Sequence, residues 1–185
     1  MMKTGNENFT NNGLPTDIIL KDFWCWFASD LLDNTLRGTL AEFIVAKALK
    51  IETPQESWSA YDLKLDNWKI EVKAAAYVQA WSQKKPSTIT FSIRPARSWT
   101  SKAGYSDVVK RQSDIYIFCL LTEKEKEKVN PLALDQWEFY PILTSVLTER
   151  LGNQRTVALS VVKKICAVKC DFESLHDNVT TLLMR

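Results

Sequence analysis

The sequence predicts one mixed α/β domain with a helical layer preceding a sheet. Three observations predict it: helix-spaced apolar residues before residue 50, three alternating runs between residues 61 and 94, and the unbroken apolar run DIYIFCLL at 114–121. A chain of 185 residues suits a single domain with a sizeable core. Its composition is globular, 45% hydrophobic and 25% charged with 5 Gly and 6 Pro. A formal net charge of +2 is too small to point to nucleic acid, so any basic surface must be local.

Residues 1–15, opening MMKTGNENFTNNG, are polar and read as a disordered lead-in rather than a signal peptide, with residues 16–185 as the domain. No apolar stretch approaches the roughly 20 residues that span a bilayer, so the expectation is a cytoplasmic protein with reduced cysteines. Cys166 and Cys170 make a zinc site only if the distant Cys25, Cys119 and the single His176 all converge on them, and Cys119 reads as an ordinary strand core residue. TDIILKDFWCWFASDLLDN (16–34) reads as a first helix, and LRGTLAEFIVAKALK (36–50) as a second, capped by Asn34 or Thr35. On a helical wheel Leu40, Ala41, Ile44, Val45, Ala48 and Leu49 share one face, and Glu42 sits at its edge. There it either snorkels to water or reaches along the core boundary towards a partner.

YDLKL (61–65), WKIEVKA (68–74) and TITFSIR (88–94) alternate as half-buried strands do. DIYIFCLL suits a strand buried on both faces, and WEFYPILT (137–144) is a further strand. Residues 95–113 are polar, with a short helix expected around YSDVVKRQ, and EKEKEK (123–128) reads as a solvated loop. Helices are expected at ALSVVKKI (158–165) and FESLHDNVTTLLM (172–184). The seven Trp are either core or flat surfaces for stacking on a partner, with core as the default.

Asp66 and Asn67 tolerate the positive φ of a tight turn between the first two strands. Pairing Leu65 with Trp68 then sets Leu63 against Ile70, Tyr61 against Val72 and Asp62 against Glu71. Two opposed carboxylates repel unless a cation sits between them, and Mg²⁺ (or Mn²⁺ in its place) is the natural candidate. Lys73 emerges on the same face as Glu71, where it can orient a metal-bound water or neutralise a developing phosphate charge. The plain alternative is a surface ion pair of little consequence.

The helix bearing Glu42, then Asp62, then IEVK with Glu71 and Lys73, resembles the PD-(D/E)XK nuclease superfamily over roughly residues 36–121. The resemblance implies a restriction endonuclease-like αβββαβ core with a mixed central sheet and extra N- and C-terminal helices. It further implies that Asp62 and Glu71 bind Mg²⁺ with the Val72 carbonyl, that Lys73 positions the attacking water, that Glu42 is an auxiliary acid, and that Gln79 joins the site. The chain departs from the family in having Ala60-Tyr61, not Pro, before Asp62.

Lys84, Lys85, Arg94 and Arg97, with Trp81 for stacking, are the leading nucleic-acid contacts, and Lys64, Lys69, Lys102, Lys110, Arg111 and Trp99 extend the set. The expected function is metal-dependent phosphodiester hydrolysis by a DNA endonuclease of restriction or repair type, acting as a homodimer if it cuts both strands. RNA is a second substrate class that the motifs do not separate from DNA. A nuclease-like domain that only binds nucleic acid or a protein is the other reading, although such members usually lose a ligand or the lysine. The single His disfavours His-based nucleases and hydrolase triads.

Overall fold

The computed structural model describes residues 2–52, 59–100 and 104–184, with the backbone alone at Ser98, Trp99, Thr100 and Tyr105. Asn12 and Gly13, at φ of 50° and 78°, turn the chain between β1 (Asn8–Asn11) and β2 (Leu14–Ile19). The helix expected from Thr16 therefore starts later, as α1 (Leu20–Ala28), where the Ile19 amide donates to the Asp22 carboxylate at 2.9 Å. Residues expected to be a disordered lead are thus in a hairpin from Asn8 onward, because the Asn-Gly turn wins over helical periodicity. The second helix, α2 (Asn34–Ala48), is capped by Asp33 rather than by Asn34 or Thr35. The Asp33 carboxylate accepts from the amides of Thr35 and Leu36 at 2.9 and 3.2 Å.

The hairpin of β3 (Leu63–Leu65) and β4 (Trp68–Ala76) turns at Asp66, φ 51°, and pairs Leu63 with Ile70, Lys64 with Lys69 and Leu65 with Trp68, the register expected. It is shorter than expected, so Tyr61–Val72 and Asp62–Glu71 are not ladder pairs. Next come β5 (Thr90–Ser92) and a hairpin of β6 (Ala96–Thr100) and β7 (Gly104–Lys110). The helix expected around residues 105–112 is thus strand, as its Tyr and paired Val residues favour once Gly104 turns the chain at φ 68°. The remainder is β8 (Ile115–Leu121), β9 (Trp137–Leu143), α3 (Thr144–Leu151), β10 (Thr156–Ala158), α4 (Leu159–Ile165) and α5 (Leu175–Leu183). Of these α3 was not anticipated from the sequence.

A mixed central sheet runs β3-β4-β8-β9, with β4 and β8 parallel and the other pairs antiparallel. The αβββαβ order implied by the resemblance is not the order of the described residues. The third strand, β5, leaves the sheet to pair with β10, and the crossover from β4 to β8 carries the β6–β7 hairpin instead of a helix. Phe91 of β5 still packs on the sheet, its ring 5.0 Å from that of Phe118.

Strand β8 is buried throughout, as its unbroken apolar run requires. Its odd residues Ile115, Ile117, Cys119 and Leu121 meet α2 and α5, through Ile44, Val45, Leu175 and Val179. Its even residues Tyr116, Phe118 and Leu120 meet β5, α3 and α4, through Phe91, Leu147 and Val162. Alternation along one strand therefore builds two cores. The Trp default is overturned: Trp137 is buried, whereas Trp24, Trp26, Trp68 and Trp81 are exposed. Among the described residues, no helix is long and apolar enough to cross a membrane. The four cysteines are free thiols.

Ile117 is fully buried at the centre of the first core, so Ile117→Ala leaves a cavity that the sheet cannot collapse to fill. We expect it to lower the unfolding free energy by about 2–5 kcal/mol in urea titration, with little change in slope.

Candidate active site

Because β3 is only three residues long, β4 continues beyond it with an edge that, among the described residues, no strand covers. Asp62 occupies that edge. Its backbone amide donates to the Ile70 carbonyl at 3.0 Å, and its carboxylate accepts from the Val72 amide at 2.8 Å. The side chain thus takes a ladder position and is fixed by doing so.

Glu71 and Lys73 stand on the β4 face opposite Ile70 and Val72, whose side chains join the α2 core. Lys73 Nζ lies 2.6 Å from Glu71 Oε1 and 4.0 Å from Asp62 Oδ2. The Ser113 hydroxyl donates to the other Glu71 oxygen at 3.1 Å, from the segment leading into β8. Ser113 is buried and is itself held, its carbonyl accepting from the Thr144 hydroxyl at 2.6 Å. These side chains are 19–29% exposed at Glu71, Asp62 and Lys73, reachable by a substrate yet largely shielded from water.

The electrostatics tie Glu42 to the same cluster. Burial first, and then the charges of Asp62 and Glu71, push Glu42 up to about 7, with Lys73 opposing. Asp62 is raised by burial and by Glu71, against Lys73 and the Val72 amide. Burial lowers Lys73, but Glu71, Asp62 and Glu42 outweigh it and hold the ammonium above its ordinary range. Asp62, Glu71 and Lys73 are thus in direct contact or close to it, and Glu42 is coupled to them through its charge, in an excess of negative charge that an added cation would relieve.

Carboxylate oxygens are hard donors suited to Mg²⁺, which keeps several waters when bound by few side chains. Among the described residues, no three Asp, Glu, His or Cys side chains converge tightly enough to form a metal cage. The Lys73 ammonium supplies part of the counter-charge a cation would, standing against Glu71 and facing Asp62. The donor set fits a cation held by two carboxylates and water.

Gln79 is not part of this cluster. Its amide donates to the Ala76 carbonyl at 2.7 Å and to Ser87 Oγ at 3.3 Å, and its oxygen accepts from the buried Arg37 at 3.2 Å. It knits the turn after β4 to α2. Lys84, Lys85 and Trp81 line a cavity of about 620 Å³ at the far end of β4, with Tyr77, Lys124 and Lys126. The last two belong to the EKEKEK run expected to be a solvated loop. It is an exposed loop, within which Lys126 Nζ donates to the carbonyls of Gln79 and Ala80 at 2.5 and 3.1 Å, and Lys124 lies 4.9 Å from the Tyr77 ring centre.

Arg94 and Arg97 line a separate hollow of about 570 Å³ with Pro95, Ala96 and Val109. Lys64, Lys69 and Lys110 are exposed, but Arg111 is buried and donates to the carbonyls of Ile93 and Gln154, at 3.0 and 3.2 Å, which removes it from the contact set. Lys102 and the Trp99 side chain lie outside the described residues. Sequence reasoning missed Ser113, Lys124 and Lys126. The one usable signal for Ser113 was its place just before the buried strand, whose parallel pairing sets Tyr116 beside Glu71.

A carboxylate and lysine cluster at the edge of a sheet is the candidate catalytic centre of this chain. Residues 24–160, well over half of the chain and including the whole cluster, match the family model described as Bacteriophage T4 endonuclease IV. The chain belongs to that family, and its class is nuclease. Comparison with curated proteins returned no match.

A raised carboxylate pKa means that the folded state holds the Glu42 proton more tightly than the unfolded state. Stability in metal-free buffer therefore falls as pH rises from about 4.5 to about 7. Glu42→Gln should accordingly raise the melting temperature at pH 8, by on the order of 3 °C, and change it less at pH 5. Equal shifts at both pH values in a thermal scan would contradict this.

Proposed function

We propose that this chain is a divalent-metal-dependent DNA endonuclease whose reaction centre is Glu42, Asp62, Glu71 and Lys73. The observation that carries the reading is the Lys73 ammonium held against Glu71 and near Asp62 on the open edge of β4. Asp62 and Glu71 would hold Mg²⁺, or Mn²⁺ in its place, with the Val72 carbonyl as a further oxygen donor. Bound there, the ion would polarise the scissile phosphate and acidify a water.

The protein's own groups divide the remaining work. The Val72 amide fixes Asp62, and Ser113 fixes Glu71, so the two carboxylates need little reorganisation before reaction. Lys73 orients the attacking water and offsets charge building on the phosphate. Glu42, near pH 7, holds or releases a proton at the margin of the site. The acid followed by Glu-x-Lys on a strand is the arrangement of PD-(D/E)XK nucleases of restriction and repair type, and it supports the same chemistry here despite the different strand order.

DNA would lie across the ends of β4 and β8. Arg94 and Arg97 in one hollow would offer phosphate contacts, and Trp81, Lys84 and Lys85 in another would offer stacking and phosphate contacts. Along β4, Lys73 and the cavity at Tyr77 are about 13 Å apart, a few nucleotides of backbone.

Cleavage of plasmid and oligonucleotide DNA with Mg²⁺ or Mn²⁺ tests the centre. Asp62→Asn and Lys73→Ala should each slow it by about a hundredfold or more, with the fold intact by circular dichroism. Persistent cleavage by both variants would remove these residues from the reaction. For the binding track, Lys84→Ala with Lys85→Ala should weaken DNA affinity and lower the salt slope by up to about 2. An unchanged slope would place the DNA elsewhere.

A further inference from the structure

Residues 3–30 fold as an arm that leaves its apolar side uncovered. The arm has internal order: Trp24 lies over Gly5, where a Cβ would come within 2.8 Å of the ring, and the Leu20 and Lys21 amides donate to the Glu7 and Gly5 carbonyls at 2.9 and 2.8 Å. Yet α1 buries none of its residues. Phe23, Trp24, Trp26 and Phe27 are 43, 41, 84 and 58% exposed, and Leu14 and Ile18 of the hairpin are 71 and 51% exposed. A two-stranded hairpin and a nine-residue helix do not hold together in water by themselves, so this face needs a cover.

Area and charge say what covers it. At about 200 Å² for a large apolar side chain, these exposed fractions amount to roughly 700 Å², close to one partner's share of a standard protein interface. Residues 2–30 carry two lysines against four acidic side chains, the wrong sign for a phosphate backbone, while the rest of the chain is net positive. We propose that the cover is a second copy of this chain, the arm of each protomer docking on the body of the other in a reciprocal two-fold dimer. An acidic arm then meets a basic body, as arm against arm would not. The inference stands apart from the chemistry at Glu71 and is read without any cleavage assay.

The test is sedimentation of the full chain, comparing wild type with Trp26→Glu combined with Phe27→Glu. Wild type should sediment as a dimer at micromolar concentrations and the double variant as a monomer with unchanged far-ultraviolet circular dichroism. Maleimide labelling of the native Cys25, on the same helix, gives a readout that does not depend on the variant folding. Labelling of wild type should accelerate several-fold on dilution towards the monomer. A wild type that is monomeric throughout, and labels at one rate, would overturn the proposal and give the face to a different protein or a lipid surface. A double variant that remains dimeric would place the interface away from the arm.

Discussion

The hydrogen bond from the Val72 amide to the Asp62 carboxylate replaces a missing strand. A sheet edge normally exposes donors that must be satisfied by water or by another chain. Here β3 stops early, and a side chain takes the backbone's place. That bond satisfies one donor of the edge, fixes a carboxylate and leaves β4 open where Glu71 and Lys73 stand. A longer β3 would make a more regular sheet and close the site.

Concentrating acidic groups at that edge works against folding. Glu42 and Asp62 both sit above their ordinary carboxylate range because burial and like charge disfavour ionisation, and one lysine offsets only part of this. The two cores around β8 bear that cost. A strand buried on both faces anchors β4 from within, so the outer edge of the sheet can be given over to chemistry rather than to packing.

Much of the centre was legible in the sequence because it rests on short-range geometry. The Asp66-Asn67 turn set the β3–β4 register, alternation placed Glu71 and Lys73 on one face, and a helical wheel placed Glu42 at a core boundary. What could not be read depended on contacts between distant segments. Nothing local tells that β5 pairs with β10, that Arg111 turns inward to carbonyls of residues 93 and 154, or that Gln79 is consumed by Arg37. At the N-terminus the conflict is of another kind: apolar spacing suits a helix, but Asn12-Gly13 imposes a hairpin that the periodicity from Thr16 does not reveal. The exposed tryptophans likewise defied an average rule, since their surroundings and not their size decide burial.

Lys126 ties the segment after β8 to the segment after β4 by donating to the carbonyls of Gln79 and Ala80. Two loops from separate parts of the chain are thereby made into one wall. An insertion in either loop would draw the ammonium from its carbonyls unless the other changed in step. Relatives in which one of these loops has grown should therefore show a matching alteration 46 or 47 residues away, a paired signature of insertions rather than of point substitutions.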